Sequence, residues 1–349
     1  MTDENFNDVV ERVKNALAGA SSSAGGSLLP TETADEIIEI VYERNFMRGL
    51  FPALPMNDRT VEVPSLTGSI AFHEQTLSDT EGGTAATESS HTTSNISMTL
   101  KTMIANVPVG NYLVAYGVEG LLSVLRDDIA SRLAYNEANL FINGDTETGS
   151  SYADNINGAY NSSSNVTGVN ASNNDYLLMF DGLRKSAGKS VSVSGTFALS
   201  HLRSAISELG VYAENRDDLA LIVPRNLEVQ LLGLTELQTV DKYGPSATIL
   251  NGEVGKIYGI SVFATSAIAT NLDWDGAYDS GGETDKTTAV LVHKRSPLIG
   301  NPTSADRRFT IDFHDEPHKD RFLLVPRTDV AFGIRYTDAI CRFNGINTV

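Results

Sequence analysis

With 349 residues and 41% hydrophobic content, the chain can bury a full core and divide into two structural regions. Its 26 basic and 44 acidic residues leave a formal charge of −18, which argues against a general nucleic-acid binder with a basic face, yet suits either solubility or a weakly repulsive lining along which an enclosed polymer can slide. No window approaches the about eighteen apolar residues of a membrane span, the N-terminus has early acids and no apolar h-region, and the single cysteine, Cys341, excludes an intrachain disulfide framework and fits a reducing cytoplasm, with burial its expected fate.

Val9, Val10, Val13 and Leu17 mark a short amphipathic helix at the start. A small-residue arm, Ala18 to Gly26, then runs through Leu28-Leu29-Pro30 into a second one. Thr31 or Thr33 supplies its N-cap, Ile37, Ile38, Ile40 and Val41 its apolar face, and Arg44 and Arg48 fall near its end. From Pro52 to about Asn106 the pattern is a long two-stranded excursion. Thr60 to Pro64 alternates at period two, and Ile96, Met98 and Leu100 do so on the return. Between them lies SDTEGGTAATESSHTTS, small, polar and acidic, which cannot pack a core by itself and would be ordered by lying on another molecule.

The longest helical signal runs from about Val118 to Phe141, with Leu121, Leu122, Leu125, Ile129, Leu133, Ala134 and Leu140 on one stripe. Asn143-Gly144-Asp145 is expected to stop it through a left-handed turn. After a polar connection (146–174), Asp175 to Gly188 and Ala198 to Leu209 read as helices, Leu219 to Val223 as a strand, and Leu227 to Leu232 as a helix. Thr248 to Thr265 reads as strand, turn, strand, with bends at Gly252, Gly255 and Gly259. An acidic loop (Asn271 to Asp285), a buried-type strand (Thr288 to His293) and closing strands at Phe309 to Phe313, Arg321 to Val325 and Val330 to Thr337 complete the chain. Helix and strand are mixed without a βαβ rhythm, which predicts an α+β fold.

Chemistry-bearing motifs are weak. His314 and His318 lie four apart, but Pro317 between them argues for a loop and a structural or solvated role. Asp273, Asp275, Asp279, Glu283 and Asp285 resemble a loose calcium loop that lacks the glycine at its sixth position and the glutamate at its twelfth, so a surface insertion is the better reading. No nucleophile elbow, P-loop, zinc-protease motif or dinucleotide fingerprint is present. The sequence predicts no catalytic residue, cofactor or metal.

Several segments in order, GGSLLPTETADEIIEIVYERNFMRGLF, LKTMIANVPVGNYLVAYG, LLSVLRDDIASRLAYNEANLFINGD, LIVPRN, GKIYGISVFATSAI and DRFLLVPRTDVAFGIRYTDAICRF, resemble the major capsid proteins of tailed bacteriophages with the Hong Kong 97-like fold. The resemblance runs from about Ser27 to Phe343. It implies an N-terminal arm (1–30), a first helix leading into the peripheral domain (31–54), an extended loop (55–106) and a peripheral domain with a spine helix (107–173). An axial domain (174–300) and peripheral closing strands (301–349) follow. It also implies a non-enzymatic subunit that assembles as hexamers and pentamers in the host cytoplasm, into an icosahedral virion shell enclosing double-stranded DNA without sequence-specific binding and without contact to a membrane.

Some family members weld subunits through a lysine on the extended loop, an asparagine and a glutamate. This chain has no lysine between Arg59 and Lys101, and a local match through KDRFLLVPR puts Asp320 and Arg327 where the asparagine and glutamate would stand. Covalent cross-linking is therefore not expected, and a cement protein could take its place. Residues 1–26 alone precede the matched part and begin with Met1, which implies a separate scaffolding protein beside a portal.

The residues expected at subunit boundaries are the arm (Ser21 to Pro30), the loop (Ser78 to Ser94) with Glu81 and Glu88, and the charges Arg44, Arg48, Arg126, Arg307 and Arg308. Two alternatives stand beside this reading: an encapsulin-like nanocompartment shell with the same fold, and a metal-binding enzyme or surface protein built on the acidic loop and the two histidines.

Overall fold

A computed structural model describes residues 45–66, 70–72, 90, 93–111, 121–147, 155–157, 175–232, 253–277, 285–303, 307–312 and 320–348. Its helices are α1 (Met47–Leu50), α2 (Leu121–Asn143), α3 (Leu199–Leu209) and α4 (Arg225–Leu232). Its strands are β1 (Ala53–Met56), β2 (Thr60–Leu66), β3 (Thr93–Thr99), β4 (Lys101–Ile104), β5 (Val107–Gly110), β6 (Lys189–Gly195) and β7 (Leu219–Pro224), then β8 (Glu253–Ile257), β9 (Ile260–Thr265), β10 (Lys286–His293), β11 (Pro297–Pro302), β12 (Arg307–Asp312), β13 (Arg321–Ile334) and β14 (Ile340–Asn347). They form two compact units. Among the described residues the smaller comprises 103–111, 121–135, 307–312 and 320–328, and the larger comprises the rest.

The larger unit is built on a six-stranded mixed sheet in the order β6-β14-β10-β7-β9-β8. Pairs β6/β14 and β7/β9 are parallel and the others antiparallel. Its central strands are apolar runs because both faces are covered. Period two divides them between two cores: Leu219, Leu221 and Val223 pack with Leu202, Leu209, Leu227 and Leu231 from α3 and α4, while Ala220 and Ile222 face Leu140, Phe141, Ile142 and Leu183. Phe141 also stacks on Phe332, with centroids 5.0 Å apart.

Cys341 lies on β14 in the first of these cores, fully buried, and burial pushes its thiol up to about 12. It is expected to stay unmodified by a thiol reagent in the native protein and to react stoichiometrically on unfolding. Native-state labelling would mean that β14 opens.

In the same unit β2 and β3 form an antiparallel ribbon, in register from Thr60 opposite Thr99 to Leu66 opposite Thr93. Val61, Val63, Ile96 and Met98 gather with Met56, Leu298 and Ala331 in a third, small core. The intervening positions are polar: Asn95 Nδ2 donates to Glu62 Oε2 at 3.0 Å. In the smaller unit, β12 and β5 flank the first part of β13, both antiparallel. Val109, Phe322 and Leu324 pack there with Leu125 and Ile129 of α2.

Three expectations are corrected. Asp175 to Gly188 is no α-helix but a 3₁₀ turn at Tyr176–Leu178 followed by further turns. Its backbone donors serve other elements: the Leu183 N–H reaches the Phe141 carbonyl at 2.8 Å and the Arg184 N–H the Ile142 carbonyl at 3.1 Å. The two closing strands after Arg321 are one continuous strand, β13, with Pro326 carried within it opposite Phe309. Gly144 ends α2 without a left-handed backbone. Glycine is needed there for space, since a Cβ would lie 2.3 Å from the Phe180 carbonyl oxygen and 2.7 Å from that of Leu140.

Candidate functional site

The start of the described chain is tied down by a charged cluster in the larger unit. Asn45 Oδ1 accepts the Met47 N–H at 3.0 Å and so braces the first turn of α1. Arg48, one residue further along the helix, donates from Nε to Glu137 Oε1 at 2.8 Å, again from Nη2 to the same oxygen, and from Nη1 to Asn301 Oδ1 at 2.8 Å. Asn45 Nδ2 adds a bond to Glu137 Oε2 at 3.1 Å. Glu137 has only 1% of its surface exposed, so the segment behind the arm is clamped onto α2 by a buried carboxylate. Arg48, expected at a subunit boundary, is thus engaged inside its own subunit. The sequence signal for Glu137 is faint, a lone acid in the apolar run LAYNEANLF.

The other expected boundary residues are spread apart. Arg126 is exposed on the first half of α2. Arg307 and Arg308 occupy β12 opposite Thr328 and Arg327. Arg44, Glu81 and Glu88 lie outside the described residues, as do the whole arm, most of the loop, His314 and His318. Asp320 is exposed with a left-handed backbone, φ 46°, and its Oδ1 accepts from Asn111 Nδ2 at 2.8 Å.

A second cluster, unforeseen from the sequence, surrounds the wholly buried Arg184. Its Nη1 donates to Asn143 Oδ1 at 2.6 Å, its Nη2 to the Gly276 carbonyl at 2.5 Å, and its own carbonyl accepts from Arg342 Nη1 at 3.3 Å. Burial and the neighbouring Arg342 lower Arg184 to about 9, while Asp145 and Asp273 pull it back up. Asp145 is raised by burial, against the N–H groups of Glu147 and Ile156 and the Lys185 ammonium at 3.2 Å. Of the three described acids of the calcium-like loop, Asp273 and Asp275 use their carboxyls on backbone N–H groups of their own turn, and Asp285 Oδ1 accepts from Lys286 Nζ at 2.7 Å. Among the described residues no three His, Cys, Asp or Glu side chains gather in a metal-binding group. The arrangement locks α2, the turn at 184 and β14 together.

Large apolar side chains stand out on the surface. Phe72 is 96% exposed and Ile70 43%, both beyond the β2 end of the ribbon, and Val211, Val229 and Trp274 are exposed elsewhere. Isolated exposed apolar residues are ordinary, and Phe72 with Ile70 two positions before it is the pair that departs from that.

A native GTA particle capsid chain superposes with a TM-score of 0.58 at 16% identity, covering 94% of this chain and 99% of that one. A chain of Microbacterium phage Oxtober96 gives 0.57 at 15% identity, covering 93% and 98%. These likenesses establish the Hong Kong 97-like α+β fold. A major capsid protein of Klebsiella oxytoca phage phiKO2 is 28% identical over 136 residues, which span 39% of this chain and 30% of that relative's length. The model of the phage capsid family matches residues 25–222, more than half of the sequence; the chain belongs to the phage capsid family.

Proposed function

We propose that the chain is the major capsid protein of a tailed phage, a non-enzymatic subunit that self-assembles into an icosahedral shell around double-stranded DNA. The observation that carries this reading is the β2–β3 ribbon with Ile70 and Phe72 exposed beyond it, on a fold shared over 94% of the chain with a capsid subunit. An open ribbon bearing naked apolar groups is an aggregation liability in a monomer and an assembly device in a shell. In this reading residues 55–106 reach a neighbouring subunit and the axial domain (174–300) clusters with its copies into hexamers and pentamers.

The shell holds together by burial and charge pairing rather than by a covalent weld. The extended loop has no lysine between Arg59 and Lys101, and an aspartate and an arginine, Asp320 and Arg327, stand at the positions matched to the welding partners. Arg44, Arg126, Arg307 and Arg308 pair with acids such as Glu81 and Glu88 across boundaries, each pair worth under about 1 kcal/mol alone and decisive only when repeated over large interfaces. Arg48 contributes by fixing the segment behind the arm. A scaffolding protein, a portal and a cement protein complete the partners, and assembly takes place in the host cytoplasm.

The test is a double substitution, Ile70→Asp with Phe72→Asp. It is expected to leave the circular dichroism of the subunit unchanged and to reduce shell yield at least about ten-fold, since each of two buried apolar anchors contributes about 1.5–3 kcal/mol. Shells formed at wild-type yield would exclude Ile70 and Phe72 as interface anchors.

A further inference from the structure

In the larger unit β10 ends at His293, and the turn 293–296 carries the chain into β11. Two bonds close that turn. The Ser296 N–H reaches the His293 carbonyl at 2.9 Å, and the Arg295 N–H reaches the imidazole, His293 Nδ1, at 3.2 Å. A side chain that accepts the N–H two residues on is the usual device of asparagine and aspartate in turns. An imidazole can do the same only while Nδ1 keeps its lone pair, since both ring nitrogens are donors once the ring is protonated.

The turn is also a junction. On one side the Lys294 N–H donates to the Asp218 carbonyl at 2.7 Å and Lys294 Nζ to the Asp217 carbonyl at 2.7 Å, which ties it to the residues before β7. On the other, the buried Ser296 donates from Oγ to the Tyr336 carbonyl at 2.7 Å. The Ser296 carbonyl accepts the Arg335 N–H at 2.9 Å, which ties the turn to the end of β13. The His293 ring packs edge-on against Tyr212, with centroids 6.4 Å apart, and Tyr212 lies against Tyr336 at 5.6 Å.

We propose that His293 is an acid-operated release for this junction: the neutral imidazole holds the Arg295 N–H and keeps the turn closed, and protonation takes the acceptor away and opens it.

The bond itself sets the direction, because a protonated Nδ1 would face the Arg295 N–H as donor against donor. Among the charges around the ring, Asp218 favours the imidazolium and Arg295 opposes it, while the Lys294 ammonium is engaged on the Asp217 carbonyl. Burial, then Asp338 and Tyr336, hold the Tyr212 phenol above its ordinary range, so that ring stays neutral. Burial is the largest influence on His293 and keeps it below its ordinary value of about 6.5. A histidine lowered in the closed turn and ordinary in the open one favours the closed turn above about pH 6.5, and that preference is lost as pH falls below it.

Hydrogen–deuterium exchange of the full chain, read at single amides and corrected for the intrinsic pH dependence of exchange, tests the release. Protection at Arg295 is expected to fall about three-fold or more between about pH 7.5 and about pH 5, the share of a single hydrogen bond. The Leu272 N–H, held by the Lys286 carbonyl at 2.9 Å in the same unit, is the reference and is expected to keep its protection. His201 Nδ1 also accepts a backbone N–H, that of Ala198 at 3.1 Å, so the readout is taken at Arg295 itself rather than from overall stability. His293→Asn offers Oδ1 one bond from Cγ, as Nδ1 is, and is expected to abolish the pH dependence at Arg295. Asp218→Asn removes the carboxylate that favours the imidazolium and is expected to move the fall to lower pH. Constant protection at Arg295 in the wild-type chain, an equal fall in His293→Asn, or a fall that Leu272 shares in full overturns the release. If His293→Asn does not fold, the wild-type curve and an unmoved transition in Asp218→Asn decide against it equally well.

Discussion

Arg48→Ala is expected to destabilise the larger unit by about 3–5 kcal/mol, the usual cost of breaking a buried pair from one side. The size follows from what is left behind rather than from what is removed. Glu137 has 1% exposure and receives two guanidinium donors from Arg48. Without them the carboxylate stays out of water and keeps, among the described residues, the neutral amide of Asn45. Replacing both partners by apolar residues, Arg48→Met with Glu137→Leu, is expected to recover most of the loss, because no charge is then stranded. Urea denaturation at constant slope measures both. A loss below about 1 kcal/mol in Arg48→Ala would show that the clamp behaves like an exposed ion pair.

The second large effect is expected at Gly144. Gly144→Ala places a methyl 2.3 Å and 2.7 Å from two backbone carbonyl oxygens, those of Phe180 and Leu140. Side chains can rotate away from such a contact and backbone cannot. The Gly144 N–H to Leu140 carbonyl bond (2.9 Å) and the Gly182 N–H to Gly144 carbonyl bond (2.8 Å) fix both sides. The cost is expected to be at least about 3 kcal/mol, at or above the usual range for overpacking. Gly49→Ala is the matched control. It lies in α1 with nothing within 4 Å of an added Cβ, and its expected effect is between zero and about 1 kcal/mol of stabilisation. Equal melting temperatures for the two variants would contradict the close-approach account.

Much of the fold was legible where burial imposes a simple period. The ribbon announced itself because Val61 and Val63 face Ile96 and Met98 on one side, with Glu62 and Asn95 on the other. The long helix was visible in its leucine stripe, and β7 in LALIVP, which is buried throughout. What escaped was structure whose reason lies in distant partners. β14 reads ICRFNGIN, and its Arg342 is accommodated because Nη1 donates to the Arg184 carbonyl. Residues 175–188 looked helical from composition, yet Gly182 is committed to backbone contact with Gly144 and Ile142, and Gly188 to Thr337. The family resemblance was readable from ordered segments. The clamp at Glu137 and the cluster at Arg184 were not, because one acid among the polar residues of a long helix and one arginine in an irregular turn have no pattern until the chain folds.

The measurement that bears most directly on the proposed role is negative-stain electron microscopy of the purified chain, alone and with a candidate scaffolding protein. Closed icosahedral shells, or isolated pentamers and hexamers, are the predicted result. A folded monomer that never assembles with any partner would contradict it.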